Sequence, residues 1–134
     1  MINEWQPTVA TPTDFDIELL RKFAHISHNA LVEPPTLAQL LNADEQNKAQ
    51  GWLKLSEEKW QPVFQQLDTE ELFPLAVFFT LAEQQLSGWQ CGSKNPAIWI
   101  FRWLKLHNQL PEKAAIRQLK TMTDNRYIPY GSVL

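Results

Sequence analysis

The chain has 134 residues, 44% hydrophobic and 20% charged, a length and balance that give one domain with a single substantial core and exclude a disordered chain. Its net charge of −3 conceals a sorting by position: residues 1–93 carry 5 Lys+Arg against 13 Asp+Glu, a balance of −8, and residues 94–134 carry 7 against 2, a balance of +5. Such a split points to an anionic partner for the basic end, or to the two ends facing each other.

In chain order, residues 1–12 read as an N-terminal arm. Glu4 stands where a signal peptide needs bases, and no apolar h-region follows. The longest apolar stretch, Leu72 to Ala82, is far shorter than the roughly 20 residues that span a bilayer. The lone cysteine, Cys91, permits no internal disulfide. A cytoplasmic protein without a membrane partner is the expectation.

Thr13 is a plausible N-cap, with Asp16 in the first turn, for a helix whose Phe15, Leu19, Leu20, Phe23, Ile26, Ala30 and Leu31 share one half of the helical wheel. Glu33-Pro34-Pro35 ends it. Thr36 caps a short helix carrying Leu37, Leu40 and Leu41, and Asp44 can cap another that ends near Gly51-Trp52. Ser56 opens a segment with Trp60, Val63, Phe64 and Leu67, in which Pro62 predicts a kink or restart.

Asp68 and Glu71 have capping-box spacing before a helix running to about Ser87. That helix is apolar except for a narrow strip of Thr80, Glu83, Gln84 and Ser87, which predicts the central helix. Gly88 is a natural C-cap, and Trp89 to Lys94 a loop. Asn95-Pro96 supplies an N-cap and the preferred first residue of a helix to about His107, and Pro111 opens the last helix, to about Met122. Residues 123–134 read as an extended tail, with Pro129 enforcing extension. Tyr127, Ile128, Tyr130, Val133 and Leu134 make it too apolar to stay solvated. The sum is an all-α fold: a compact single-domain bundle of six or seven short helices over residues 13–122, with the tail docked on the core.

Beyond packing, the helix from Pro96 to His107 stands out. Trp99, Trp103 and Leu106 form one stripe, and Ala97, Ile100, Phe101 and Leu104 an adjacent one, leaving Ile98, Arg102 and Lys105 for the remaining face. Two apolar stripes exceed what one helix usually turns towards a core, and Trp and Arg are favoured interface anchors. Trp99, Arg102, Trp103, Lys105 and Leu106 are therefore the candidate protein-binding residues, for a partner or for self-association. The competing reading places the aromatics of this chain, which has six tryptophans, in the core.

On the last helix Lys113, Arg117 and Lys120 recur at i, i+4, i+7 opposite Ala115, Ile116, Leu119 and Met122. With Arg102, Lys105 and Arg126 they would form a cationic surface if the last two helices pair as a hairpin. Nucleic acid is then a second candidate partner, with Tyr127 or Tyr130 as stacking groups. Against this stand the pI of 5.6 and the lack of a helix-turn-helix signature. Ser132-Val133-Leu134 fits the loose pattern read by PDZ domains.

Signals for catalysis and cofactors are weak. His25 and His28 lie three apart without a third ligand. Cys91 precedes a helix N-terminus, where the dipole and Lys94 could depress its pKa, but His107 lies at the far end of that helix, too distant to act as its base. Glu57-Glu58 and Glu70-Glu71 are first-turn acids that complement helix dipoles. No phosphate-binding glycine motif and no C-x-x-C occur. No catalytic residue, metal ligand or cofactor is assigned, and the expectation is a non-enzymatic interaction module or adaptor.

Overall fold

The computed structural model describes residues 15–131, in which seven α-helices carry the fold and no strand is present among the described residues. Helix α1 spans Ile17–Ile26. Its N-cap is Asp16, whose carboxylate accepts from Leu19 N at 3.1 Å, while Thr13 lies outside the described residues. It ends at Ile26, not Leu31, because Ser27, His28 and Asn29 turn the chain: Ser27 N bonds back to Ala24 O, and Asn29 O accepts from Val32 N and Glu33 N. Ala30 stays buried in that turn, and Val32 is exposed.

Helix α2 spans Leu37–Leu40 and α3 spans Ala43–Gln50. Of the leucines around α2, Leu37 and Leu41 are buried and Leu40 faces out. Thr36 makes no capping bond; Gln85 from a distant helix takes its place, accepting from Leu37 N at 2.8 Å. The cap of α3 is Asn42 in a reciprocal box with Glu45, and Asp44 sits in the first turn instead. Two ion pairs cross from α1 to α3, Lys22 to Glu45 at 2.7 Å and Lys48 to Asp16 at 2.9 Å. The two lysines hold Asp16 and Glu45 below the usual carboxylate range.

A single 3-10 turn, Gly51–Lys54, leads to α4, Glu57–Gln66. Pro62 does not restart the helix as one of the two sequence expectations had it; α4 runs through it. Pro62 and Glu58 are both exposed, so water can satisfy the carbonyl that the missing N–H leaves.

Helix α5, Thr69–Gln85, is the central element, packed against α1 and α6 and touched by α2. Asp68 N donates to Glu71 Oε1 at 2.9 Å at its start, and the chain leaves at Leu86 before Gly88 turns it with φ +81°. Helix α6, Pro96–Leu106, starts as expected, with Asn95 Oδ1 accepting from Ala97 N at 2.8 Å. Helix α7, Lys113–Lys120, is one turn shorter than expected, with Glu112 at its cap position. No helix among the described residues is long and apolar enough to cross a membrane.

The core is threaded by aromatics. Phe23 of α1 stacks on Phe78 of α5 at 4.0 Å, and Phe79 meets Trp60 of α4 edge-on at 5.5 Å. Trp60 lies 6.0 Å from Phe64, which meets Trp103 of α6 at 5.8 Å. Phe79 is fully buried and touches rings from three elements. Truncating it to Ala is expected to cost about 3–5 kcal/mol of unfolding free energy. Urea denaturation checks this, and a loss below about 1 kcal/mol is incompatible with this core.

Candidate functional site

Helix α6 presents three faces. Ala97, Ile100, Phe101 and Leu104 are buried against the bundle, as is Ile98, which the sequence placed on the open side with Arg102 and Lys105. Ile98 is covered by the C-terminal segment: a Cβ on Gly131 would stand 3.3 Å from its Cγ2. Trp99 and Trp103 are half-buried along the second face, Trp103 lying between Phe64 and His107, whose ring is 4.2 Å away. The tryptophan stripe is thus anchored in the core at its inner edge. Leu106, at its outer end, is 74% exposed, and Arg102 lies over the Trp99 ring at 5.3 Å.

Three of the seven cations of residues 94–134 contact the tail. Arg102 Nε donates to Tyr130 O at 3.0 Å and Nη1 to Glu57 at 3.0 Å. Lys105 Nζ sits over the Tyr130 ring at 4.6 Å, and Lys120 Nζ donates to Ile128 O at 2.8 Å. Helix α6 packs chiefly on α5 and α4, so the close α6–α7 hairpin on which a joint cationic surface was conditional is not formed. The six candidate phosphate contacts are thus distributed over α6, α7 and the tail, and all six are exposed. Tyr127 and Tyr130 are half-buried against the core.

The tail itself is wound, not extended. Residues 126–130 form successive turns, closed by Gly131 N donating to Tyr127 O at 2.6 Å, and Ile128 is completely buried. Gly131 has φ +87°, a conformation that calls for glycine, and a side chain there would also have to displace the Arg102 guanidinium, whose Nη2 would lie 2.7 Å away. Ser132, Val133 and Leu134, the residues of the PDZ-like pattern, lie outside the described residues.

What anchors the tail is a residue the sequence misplaced. Glu83 belongs to the narrow polar strip of α5, but it is 6% exposed, and Thr80, one turn before it, is also buried, donating to Ala76 O at 2.8 Å. Glu83 Oε2 accepts from Cys91 N at 2.7 Å and Gly92 N at 2.9 Å, and Oε1 accepts from Asn125 Nδ2 at 2.8 Å. The same amide group donates to Gly92 O at 2.9 Å. Gln84 donates to Thr123 Oγ1 at 3.1 Å, and Gln90 donates to Glu83 O at 3.0 Å. One signal of this was present in the sequence: an acid in the last turn of a helix opposes the helix dipole, so it needs donors of its own.

At Cys91 the helix dipole and Lys94 do not lower the thiol pKa; the shift is upward. Burial, and then the neighbouring carboxylate, push the thiol from its ordinary 9.0 up to about 12. The Sγ donates to Trp89 O at 3.2 Å. His25 and His28 are both exposed on α1 and its following turn, and no group of three or more His, Cys, Asp or Glu side chains among the described residues is placed to hold a metal.

Compared with known proteins, the chain matches no family model, no curated protein and no solved structure. Its site rests on its own geometry.

Two outcomes follow. Native Cys91 stays protonated well above the pH at which the unfolded thiol ionises, so alkylation by iodoacetamide at about pH 9 should be far slower in the folded protein than in urea; equal rates contradict the burial. The raised folded value also means that this thiol's contribution to stability is complete below 9.0 and is lost as pH rises towards about 12. For the tail, Ile128→Ala should cost about 2–5 kcal/mol, as a buried aliphatic does; an unchanged thermal midpoint would show that the tail is not docked.

Proposed function

We propose that the chain is a non-enzymatic protein-interaction module whose contact face is the outer edge of α6: Leu106, flanked by Trp99, Trp103, Arg102 and Lys105. One observation carries the reading. Leu106 is 74% exposed, in a chain where nearly every other large apolar side chain of α5 and α6 is covered. Leu106 lies beside two half-buried indoles, and a partner would find there an apolar centre with a cationic rim, the anatomy of a small interface.

Nucleic-acid binding is the weaker alternative. Its candidate cations, Lys113, Arg117, Lys120, Arg102, Lys105 and Arg126, are exposed but spread over α6, α7 and the tail, and α6 and α7 do not pair closely.

Leu106→Asp is the test, because an exposed side chain can be changed without unfolding the helix. The variant should keep the parent thermal midpoint and lose at least about tenfold in affinity for a co-purified partner or for self-association, as a hot-spot residue does. If parent and variant bring down the same proteins in the same amounts and sediment alike, α6 is not the contact face.

A further inference from the structure

A second feature, independent of the α6 edge, lies at the opposite end of the tail. Glu83 is almost completely buried, yet none of the described Lys, Arg or His side chains pairs with it. The five ion pairs use Glu18, Glu71, Glu45, Asp16 and Glu57. Three N–H groups solvate its carboxylate, which spreads the negative charge without cancelling it. The C-terminal end of α5, negative by its dipole, adds to the charge instead of opposing it. A carboxylate accepts about four hydrogen bonds, and Oε1 takes only the one from Asn125.

Glu83 and Asn125 also line a solvent-open surface depression of about 470 Å³, flanked by Tyr127, Asp124 and Arg126. The volume is in the range of small-molecule sites. Asp124 and Arg126 are exposed and balance each other in charge, so the net charge of the depression is that of Glu83.

The geometry points to this depression as a binding site for a small organic cation bearing a primary ammonium group. The ammonium donates to Glu83 Oε1, and the aliphatic body lies against the Tyr127 ring. An anion is disfavoured by Glu83, and a neutral alcohol of the same shape brings no charge to compensate it.

Titration of the 15N-labelled full chain with n-butylammonium, followed on the Asn125 side-chain amide and the Gly92 backbone amide, tests the site. The expected result is a saturable shift of both signals. 1-Butanol, the charge-free isostere, should bind at least about tenfold more weakly. Arg126→Gln removes the rim cation without touching the tail's anchors and should tighten butylammonium binding about twofold to fivefold. Glu83→Gln should weaken it at least about tenfold where the variant stays folded. If the parent shows no saturable shift, if 1-butanol binds as well as the amine, or if Arg126→Gln leaves affinity unchanged, the ammonium site is rejected.

Discussion

Three consecutive residues at the end of α5 hold segments that lie far apart in the chain. Glu83 binds the 91–92 backbone and Asn125, Gln84 binds Thr123, and Gln85 accepts from Leu37 N while donating to Pro35 O at 2.9 Å. A central helix offers its apolar faces to the core all round, so polar fastening can occur only at its ends, where the chain emerges from the bundle. The bundle packs on the body of α5 and is tied together at its C-terminal turn. Removing the Glu83 carboxylate would leave three N–H donors short of an acceptor at once, which is why its weight exceeds that of any surface ion pair.

Electrostatics follows the same division. Within the acidic part of the chain, Arg21, Lys22 and Lys48 are absorbed by ion pairs with acids of that part. The basic end meets the acidic part through Arg102 and Glu57, and turns three of its cations to carbonyls and a ring of its own tail. Carbonyls satisfy a cation's hydrogen bonds without neutralising it. The positive potential of that end therefore survives tail docking, and it reinforces the cationic rim around Leu106.

The sequence made the helical class and most helix starts legible, because Asn95-Pro96, Asp68 with Glu71, and the leucine and phenylalanine periodicities act locally. Caps went wrong where two polar residues competed within a turn, as Thr13 with Asp16 and Asp44 with Asn42. The larger failures have one physical origin. On a helical wheel Glu83 fell on the polar strip of α5 and Ile98 on the face of α6 left over by the apolar stripes, and both are covered by a segment distant in sequence, Asn125 on Glu83 and Gly131 over Ile98. A wheel records which residues share a face; it holds nothing about a distant tail that lies on that face. The same blindness made the tail extended in the reading, since its turns depend on Lys120, Arg102 and Glu83, none of which is local to all of it.

Asn125 follows Glu83 by 42 residues, and this spacing orders events as the chain is made. Helices α1 to α5 leave the ribosome with the Phe23–Phe78 and Trp60–Phe79 contacts already available, so the aromatic body can collapse early. Through that interval the Glu83 carboxylate remains wet, and the side of α6 that carries Ile98 stays bare. Only after α7 has been synthesised can the turn at 126–130 fold back and cover both. Until residues 125–131 have been made, the groups that cover Glu83 and Ile98 are missing, so the polar seam is the last part of the described structure that can close.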